Sequence, residues 1–106
     1  MREFDGRIDG PALLYVNVDW CGYCKRAKPM MDKLSDMLGT AVPVISVNGD
    51  RHKAVTKQLG VTSFPTILYI DPQGAARTFD GERTIEAILG FVCTQSSNAF
   101  GICKRR

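Results

Sequence analysis

Two cysteines separated by two residues are the most reactive feature of this sequence. Cys21 and Cys24 lie in "VDWCGYCKRAKP", residues 18–29, between an apolar run and a helix-like run. Such a pair can exchange disulfides, supply half of a zinc site, or consist of two inert buried thiols. A thiol at a helix N-terminus faces unpaired backbone N–H groups and the positive end of the helix dipole, which both favour a thiolate.

This position favours disulfide exchange, because the thiolate is the nucleophile of that reaction. We assign Cys21 as the attacking cysteine. Cys24 follows one helical turn later, so its sulfur can approach that of Cys21 and resolve a mixed disulfide. Gly22 lets a substrate backbone approach closely, and Trp20 offers an apolar contact beside the thiols.

A zinc site would need two more ligands, which the sequence supplies only as single residues. Structural zinc takes four ligands, commonly as two close pairs. Cys93 and Cys103 do not form a close pair, and His52 is the one histidine. Redox exchange is therefore preferred, and inert thiols are disfavoured because a strand-to-helix junction is not core. Lys25 and Arg26 would stabilise a thiolate, although a solvated helix face is the more ordinary interpretation of Arg26.

A proline at the start of a later apolar run is the second marker. "SFPT", residues 63–66, places Pro65 directly before a predicted strand, where proline is tolerated. A cis Phe64–Pro65 bond would turn the backbone so that it faces the cysteine pair. Such a proline is a weak signal alone and a stronger one together with the cysteine pair upstream.

The cysteine pair and Pro65 must be positioned by strands and helices, and these are predicted to alternate along the chain. Strands are predicted at 11–18, 41–47, 65–70 and, after a turn at 71–74, at 75–79; helices at 27–38 with Pro29 inside, at 51–60, and from Glu82. Strands separated by helices imply parallel pairing, and the closely coupled last pair implies a hairpin. The order β-α-β-α-β-β-α predicts one α/β domain over residues 1–93, with a tail over 94–106.

Composition and charge exclude several other classes of protein. The chain has 106 residues, of which 44% are hydrophobic, and a formal net charge of +3. No basic stripe alternates with aromatics, so nucleic-acid binding is not indicated. No apolar run approaches the roughly 20 residues of a membrane span. The N-terminal "MREFDGRIDGP" lacks the apolar run of a secretory signal, so we expect a cytoplasmic protein, with a secretory compartment left open for a processed chain.

With both markers in place, residues 11–92 resemble the thioredoxin superfamily, either a thioredoxin or a catalytic domain of protein disulfide isomerase. "WCGYCK", residues 20–25, matches the family pattern Trp-Cys-Gly-x-Cys-Lys, and Pro29 matches the helix-kinking proline after it. "FPT", residues 64–66, matches the cis-proline loop. "FDGERTIEAILGFV", residues 79–92, resembles the isomerase pattern that opens the last helix. The resemblance implies a four-stranded mixed sheet flanked by helices, with a trimmed N-terminal part.

The resemblance also implies a thiol–disulfide oxidoreductase that acts on disulfides or dithiols of protein substrates. Pro65 would be the cis-proline that presents substrate backbone. Arg83 would tune the active-site cysteine, with a surface arginine at a helix start as the alternative. The expected substrate contacts are Trp20, Gly22, Tyr23, Phe64 and Thr66. The exchange needs no cofactor, a separate reductase or oxidant must reset the pair, and a monomer is expected.

Three departures from the family pattern matter. Tyr15 stands where the family has a buried acid that relays the proton of the resolving cysteine, and a phenol with a pKa near 10 is a poor base. Asp19 is nearer the pair but is expected to be exposed. Tyr23 replaces the proline of thioredoxins and the histidine of isomerases, whose potentials differ by about 90 mV, so the direction of reaction stays open. Few residues precede the first predicted strand, so the usual first elements are missing or very short.

Two rival functions and the remaining cysteines complete the hypotheses. A binding or chaperone-like module with little turnover is favoured by Tyr15, and a metal-binding module is the other rival. For Cys93 and Cys103, the first interpretation is a buried small hydrophobe and a tail thiol. A disulfide that pins the tail to the last helix comes second, and regulatory thiols or an intermolecular bridge come third.

Overall fold

One mixed sheet of five strands organises the computed structural model, which describes residues 1–96, 101 and 103. The strands are β1 (Arg2–Glu3), β2 (Ala12–Asn17), β3 (Val44–Asn48), β4 (Thr66–Ile70) and β5 (Ala76–Thr78), and the helices are α1 (Gly22–Leu38), α2 (Lys53–Gln58) and α3 (Ile85–Gln95). The strand order across the sheet is β1-β3-β2-β4-β5. The predicted alternation of strands and helices is confirmed.

The sheet has one strand more than the four predicted. The short β1 pairs in parallel with β3, through Arg2 opposite Ile45 and Glu3 opposite Ser46. A very short first strand is one of the two alternatives that the sequence left open. Two polar, exposed residues show no alternation of apolar and polar side chains, which is why the pattern along the chain does not reveal this strand.

The central strand β2 is buried on both faces. It pairs in parallel with β3, as predicted, and the predicted hairpin of β4 and β5 is confirmed. Its pairing with β4 is antiparallel, so the parallel pairing expected for strands separated by helices is wrong at this position. Leu13 and Tyr15 point into the core beneath α1 and α3, whereas Leu14 and Val16 point into the core on the opposite face. Because both faces of the strand are covered, its sequence is a continuous apolar run and does not alternate between apolar and polar residues. A fully buried Leu or Val contributes about 1.5–3 kcal/mol to folding.

The ends of the helices follow local signals. α1 begins at Gly22, earlier than the periodic apolar pattern predicts, because Cys21 caps its N-terminus. Its C-terminus is closed by Gly39, which has a φ of 57° and donates its N–H to the carbonyl of Ser35. α3 begins at Ile85 and not at Glu82, because the hydroxyl of Thr84 accepts the backbone N–H of Ala87.

The C-terminal residues are described only in part. α3 continues to Gln95, beyond the predicted domain boundary at residue 93, and Ser96 after it is buried. The rest of the predicted tail lies outside the described residues, apart from Gly101 and Cys103. Within residues 1–96, no helix combines the length and the hydropathy that crossing a membrane requires.

Candidate active site

The two cysteines of the motif form a disulfide at the start of α1. Cys21 is the N-cap residue, and its Sγ accepts the backbone N–H of Cys24 at 3.0 Å. The side chains are largely covered, with Cys21 8% exposed and Cys24 4% exposed. A sulfur in this position receives a backbone N–H and faces the positive end of the helix dipole, so reduction would leave Cys21 in surroundings that favour a thiolate.

No acidic side chain opposes that effect in the first turn of α1. Lys25 and Arg26 follow the pair instead, and both are exposed. The guanidinium of Arg26 lies 4.5 Å from the ring centroid of Tyr23, the residue between the cysteines, in a cation–π arrangement. Two cations therefore follow the pair directly, and their charge favours an ionised thiol.

Trp20 lies beside the cysteine pair, and the loop after β3 fixes the orientation of its ring. Its ring is 70% exposed, and its Nε1–H donates to Asp50 at 2.9 Å. Its ring also meets that of Phe64 edge-on, with centroids 5.9 Å apart. Phe64 fits because Gly49 has no side chain, since a Cβ there would lie 2.6 Å from the Phe64 ring. The sequence patterns do not mark Asp50 and Gly49 as residues of the site.

The Phe64–Pro65 peptide bond is cis, as predicted, and Pro65 is buried. The hydroxyl of Thr66 donates to the carbonyl of Ser63 at 2.6 Å, which closes the loop ahead of β4. Arg83 reaches the same loop from the segment before α3 and donates its Nη2–H to the carbonyl of Pro65 at 3.3 Å. The contact of Arg83 is therefore with the proline loop and not with a cysteine sulfur.

Tyr15 takes the place of the expected acid but makes a different contact. It is 1% exposed, and its hydroxyl donates to the backbone carbonyl of Cys24. Burial raises the pKa of Tyr15 to about 12, and the nearby charge of Arg83 offsets only part of that rise. The phenol is a neutral donor near pH 7, so it anchors the backbone of Cys24 and does not accept the proton of the thiol.

A polar cleft of about 310 Å³ lies behind Cys24. Besides Tyr15, its lining includes two carboxylates, several cations and two amides: Glu3, Asp19, Lys25, Lys28, Arg51, Asn17 and Asn48. Asp19 is exposed, as the sequence predicts. Polar and charged side chains therefore border Cys24 on this side.

The second cysteine pair corrects the sequence interpretation. Cys93 and Cys103 form a disulfide with a Cα–Cα distance of 5.7 Å, so the first interpretation, of two free thiols, is wrong. The alternative that pins the tail to the last helix is the one present. Within residues 1–96, 101 and 103, no cluster of three or more His, Cys, Asp or Glu side chains is placed to hold a metal ion.

Comparison with known proteins shows which family carries this site. The family model described as Thioredoxin matches residues 2–94. The chain is 31% identical over 97 residues to a thioredoxin of Borreliella burgdorferi, covering 85% of this chain and 83% of that protein. It is 36% identical over 91 residues to a probable protein disulfide-isomerase A6 of Medicago sativa, covering 82% of this chain and 25% of that protein.

The structural comparison agrees with the sequence comparison. The solution structure of the first thioredoxin domain of mouse protein disulfide-isomerase A4 superposes with a TM-score of 0.71 at 28% identity, covering 78% of this chain and 61% of that chain. The chain spans about a quarter of the length of most of the curated relatives that it matches. The α/β fold predicted from the sequence is confirmed, and the relatives together with the Cys21–Cys24 pair support a thiol–disulfide oxidoreductase. The chain belongs to the thioredoxin family.

Proposed function

We propose that this protein exchanges disulfides with other proteins through Cys21 and Cys24. The observation that carries the proposal is the position of Cys21, the N-cap of α1, whose sulfur accepts the N–H of Cys24 while bonded to the sulfur of that residue. The attacking sulfur thus sits where a thiolate is stabilised, and its resolving partner is already within bonding reach.

In the reducing direction, the Cys21 thiolate attacks one sulfur of a substrate disulfide. A bond forms between Cys21 and that sulfur, and the other substrate sulfur leaves as a thiolate that takes up a proton. Cys24, as its thiolate, then attacks the sulfur of Cys21 and releases the second substrate thiol. Two electrons have passed to the substrate, and the Cys21–Cys24 disulfide remains until a separate dithiol reductant restores it. Oxidation of a substrate dithiol runs through the same steps in reverse, with an oxidant resetting the pair.

The surface around the cysteine pair would bind the substrate. Pro65 lies in the loop that would face an extended substrate backbone, and Arg83 holds the carbonyl of this proline. Trp20 and Phe64 meet edge-on and supply an apolar wall. Gly22 and Tyr23 lie between the cysteines, both exposed, and Thr66 fixes the proline loop.

The proton of Cys24 needs a path that avoids Tyr15. We assign it to the polar cleft behind this cysteine, where Glu3 and Asp19 are the carboxylates of the lining. Because both are exposed, this path exchanges with solvent, unlike a relay through one buried acid.

The first test is the reduction potential of the Cys21–Cys24 pair against glutathione, in a variant with Cys93 and Cys103 changed to serine. A value near that of thioredoxin, about −270 mV, would assign a reductase. A value near that of protein disulfide isomerase, about −180 mV, would assign oxidation or isomerisation. Failure of the pair to form a disulfide with the glutathione couple would overturn the proposal.

A binding or chaperone-like module with little turnover is the second candidate, favoured by the neutral Tyr15. An insulin reduction assay with dithiothreitol as donor separates the two candidates. Turnover above the rate of dithiothreitol alone supports the exchange function. Binding of reduced, unfolded protein without such turnover would support the second candidate instead.

A further inference from the structure

A groove of about 300 Å³ runs along α1 directly beside the redox pair. Its lining consists of Tyr23, Arg26, Ala27, Met30 and Arg83. Tyr23 lies between the two cysteines and is 66% exposed, so the groove begins where a substrate cysteine would be bonded to Cys21. A residue that flanks the substrate cysteine in a mixed disulfide can therefore reach this groove.

The groove combines an apolar floor with two guanidinium groups. Ala27 and Met30 are partly buried against the core, and with the ring of Tyr23 they supply the apolar surface. Arg26 lies over the Tyr23 ring on the helix side. Arg83 enters from the segment before α3 and uses one nitrogen on the carbonyl of Pro65.

These two positive charges have no acidic partner within residues 1–96, where the ion pairs are Arg7–Asp9 and Lys28–Asp32. The first turn of α1 also contains no acid. Guanidinium groups bind carboxylates through two parallel hydrogen bonds. Among the described residues, no carboxylate lines this groove. A carboxylate of a bound substrate would supply such a partner.

We propose that the groove selects protein substrates in which the reactive cysteine is flanked by an apolar residue and an acidic residue. The apolar side chain lies on Ala27 and Met30, and the carboxylate meets Arg26 and Arg83. The inference rests on the proposed disulfide exchange, because the mixed disulfide is what brings the flanking residues to the groove. A polypeptide, and not a free anion, is the occupant, since the covalent link to Cys21 supplies a high effective concentration.

Three matched peptide disulfides test the selection. They share one sequence with a leucine beside the cysteine and differ only in the next residue, which is Glu, Gln or Lys. The measurement is the second-order rate constant for reduction of each peptide by the reduced full chain. We expect the Glu peptide to react up to about fivefold faster than the Lys peptide, the size of an exposed ion-pair effect. We expect the ratio to fall towards one in 1 M salt, where the Debye length is about 3 Å.

A charge reversal at Arg26 locates the effect. Arg26→Glu should lower the Glu-to-Lys ratio to about one, because the new carboxylate lies beside the remaining cation, Arg83. Lys33→Glu is the matched control, because this exposed residue is on the same helix, outside the groove, and the substitution makes the same change in net charge. The control should keep the ratio of the unaltered chain.

The outcomes separate the groove from the underlying activity. Equal, measurable rate constants for the three peptides would overturn the selection and leave disulfide exchange standing. An equal loss of preference in Lys33→Glu and Arg26→Glu would also overturn the groove, since the effect would then come from net charge. Failure to reduce any of the peptides would overturn the proposed function and this inference together.

Discussion

Cys21–Cys24 and Cys93–Cys103 lie at opposite ends of the chain and at opposite ends of their helices. Cys21 caps the N-terminus of α1, where its sulfur accepts a backbone N–H. Cys93 lies in the last turn of α3, where unpaired carbonyls give the helix end a partial negative charge. The first location stabilises a thiolate and the second opposes one, so the two bonds have different consequences when they are reduced.

The two disulfides also differ in how much chain they close. Cys21 and Cys24 are three positions apart, within a turn that the helix already fixes. Cys93 and Cys103 are ten positions apart, and both pack against the core beneath α1 and α3. The comparison indicates that helix position and loop length, and not the bond itself, distinguish a reactive disulfide from one that holds chain in place.

The largest expected effect is on activity. Cys21→Ser should reduce turnover in the insulin assay to the rate of dithiothreitol alone, because no other thiol takes the place of the attacking sulfur. The double variant Cys93→Ser/Cys103→Ser should keep turnover within about twofold, measured well below its unfolding temperature. A comparable loss in both variants would end the distinction between a reactive and a structural disulfide.

The next largest effect is on stability, where removal of the Cys93–Cys103 disulfide should matter more than removal of the Cys21–Cys24 disulfide. Cys93→Ser/Cys103→Ser should lower the free energy of unfolding by about 2–3 kcal/mol, as expected for closure of a loop of ten positions. Cys21→Ser/Cys24→Ser should cost less, since a shorter loop removes less entropy from the unfolded chain. Urea unfolding under oxidising conditions measures both. A larger loss from the Cys21–Cys24 variant would contradict the comparison.

The Cys21–Cys24 site could be predicted from the sequence, whereas the pairing of Cys93 with Cys103 could not. Cys21, Cys24 and Pro65 lie in short local patterns, and the order of strands and helices follows from apolar runs and turn residues. The pairing of Cys93 with Cys103 depends on where α3 ends and how the chain returns, which the spacing of two single cysteines does not determine.

Contacts around the pair were missed for the same physical reason. The hydrogen bond of Trp20 to Asp50 joins segments thirty positions apart, and the space for Phe64 depends on Gly49 in another loop. Tyr15 was recognised as a departure, but its contact with the carbonyl of Cys24 is fixed by the packing of β2 under α1. Such contacts follow from three-dimensional packing and leave no periodic signal.

A smaller difference is expected in reduction potential. Thiolate stabilisation at the N-terminus of α1 favours the reduced form of the Cys21–Cys24 pair, and the C-terminus of α3 gives Cys93 no such effect. We expect the potential of Cys21–Cys24 to be about 30–60 mV less negative, given that about 30 mV corresponds to 1.4 kcal/mol. Thiol alkylation and mass spectrometry across a glutathione series would resolve both pairs in one sample. The reverse order of reduction would contradict this prediction.

The smallest effect at neutral pH comes from Tyr15, which contacts only the Cys21–Cys24 side of the molecule. Tyr15→Phe removes the hydrogen bond to the carbonyl of Cys24 and should lower the free energy of unfolding by about 1 kcal/mol at pH 7. Tyr69→Phe is the matched control, because Tyr69 is as deeply buried on the neighbouring strand β4 and its hydroxyl makes no hydrogen bond to the described residues.

The pH dependence of stability identifies the phenol responsible. The pKa of Tyr15 is raised from 10.0 to about 12 in the folded chain, mainly by burial, so the native state keeps a proton that the unfolded state releases. The contribution of Tyr15 is therefore fully present below pH 10 and is lost as the pH rises from about 10 to 12. Tyr15→Phe should show a shallower fall in urea stability over that range than the unaltered chain. An unchanged slope would show that a group other than Tyr15 causes the loss of stability at high pH. Tyr15 would then no longer distinguish the Cys21–Cys24 region from the Cys93–Cys103 region.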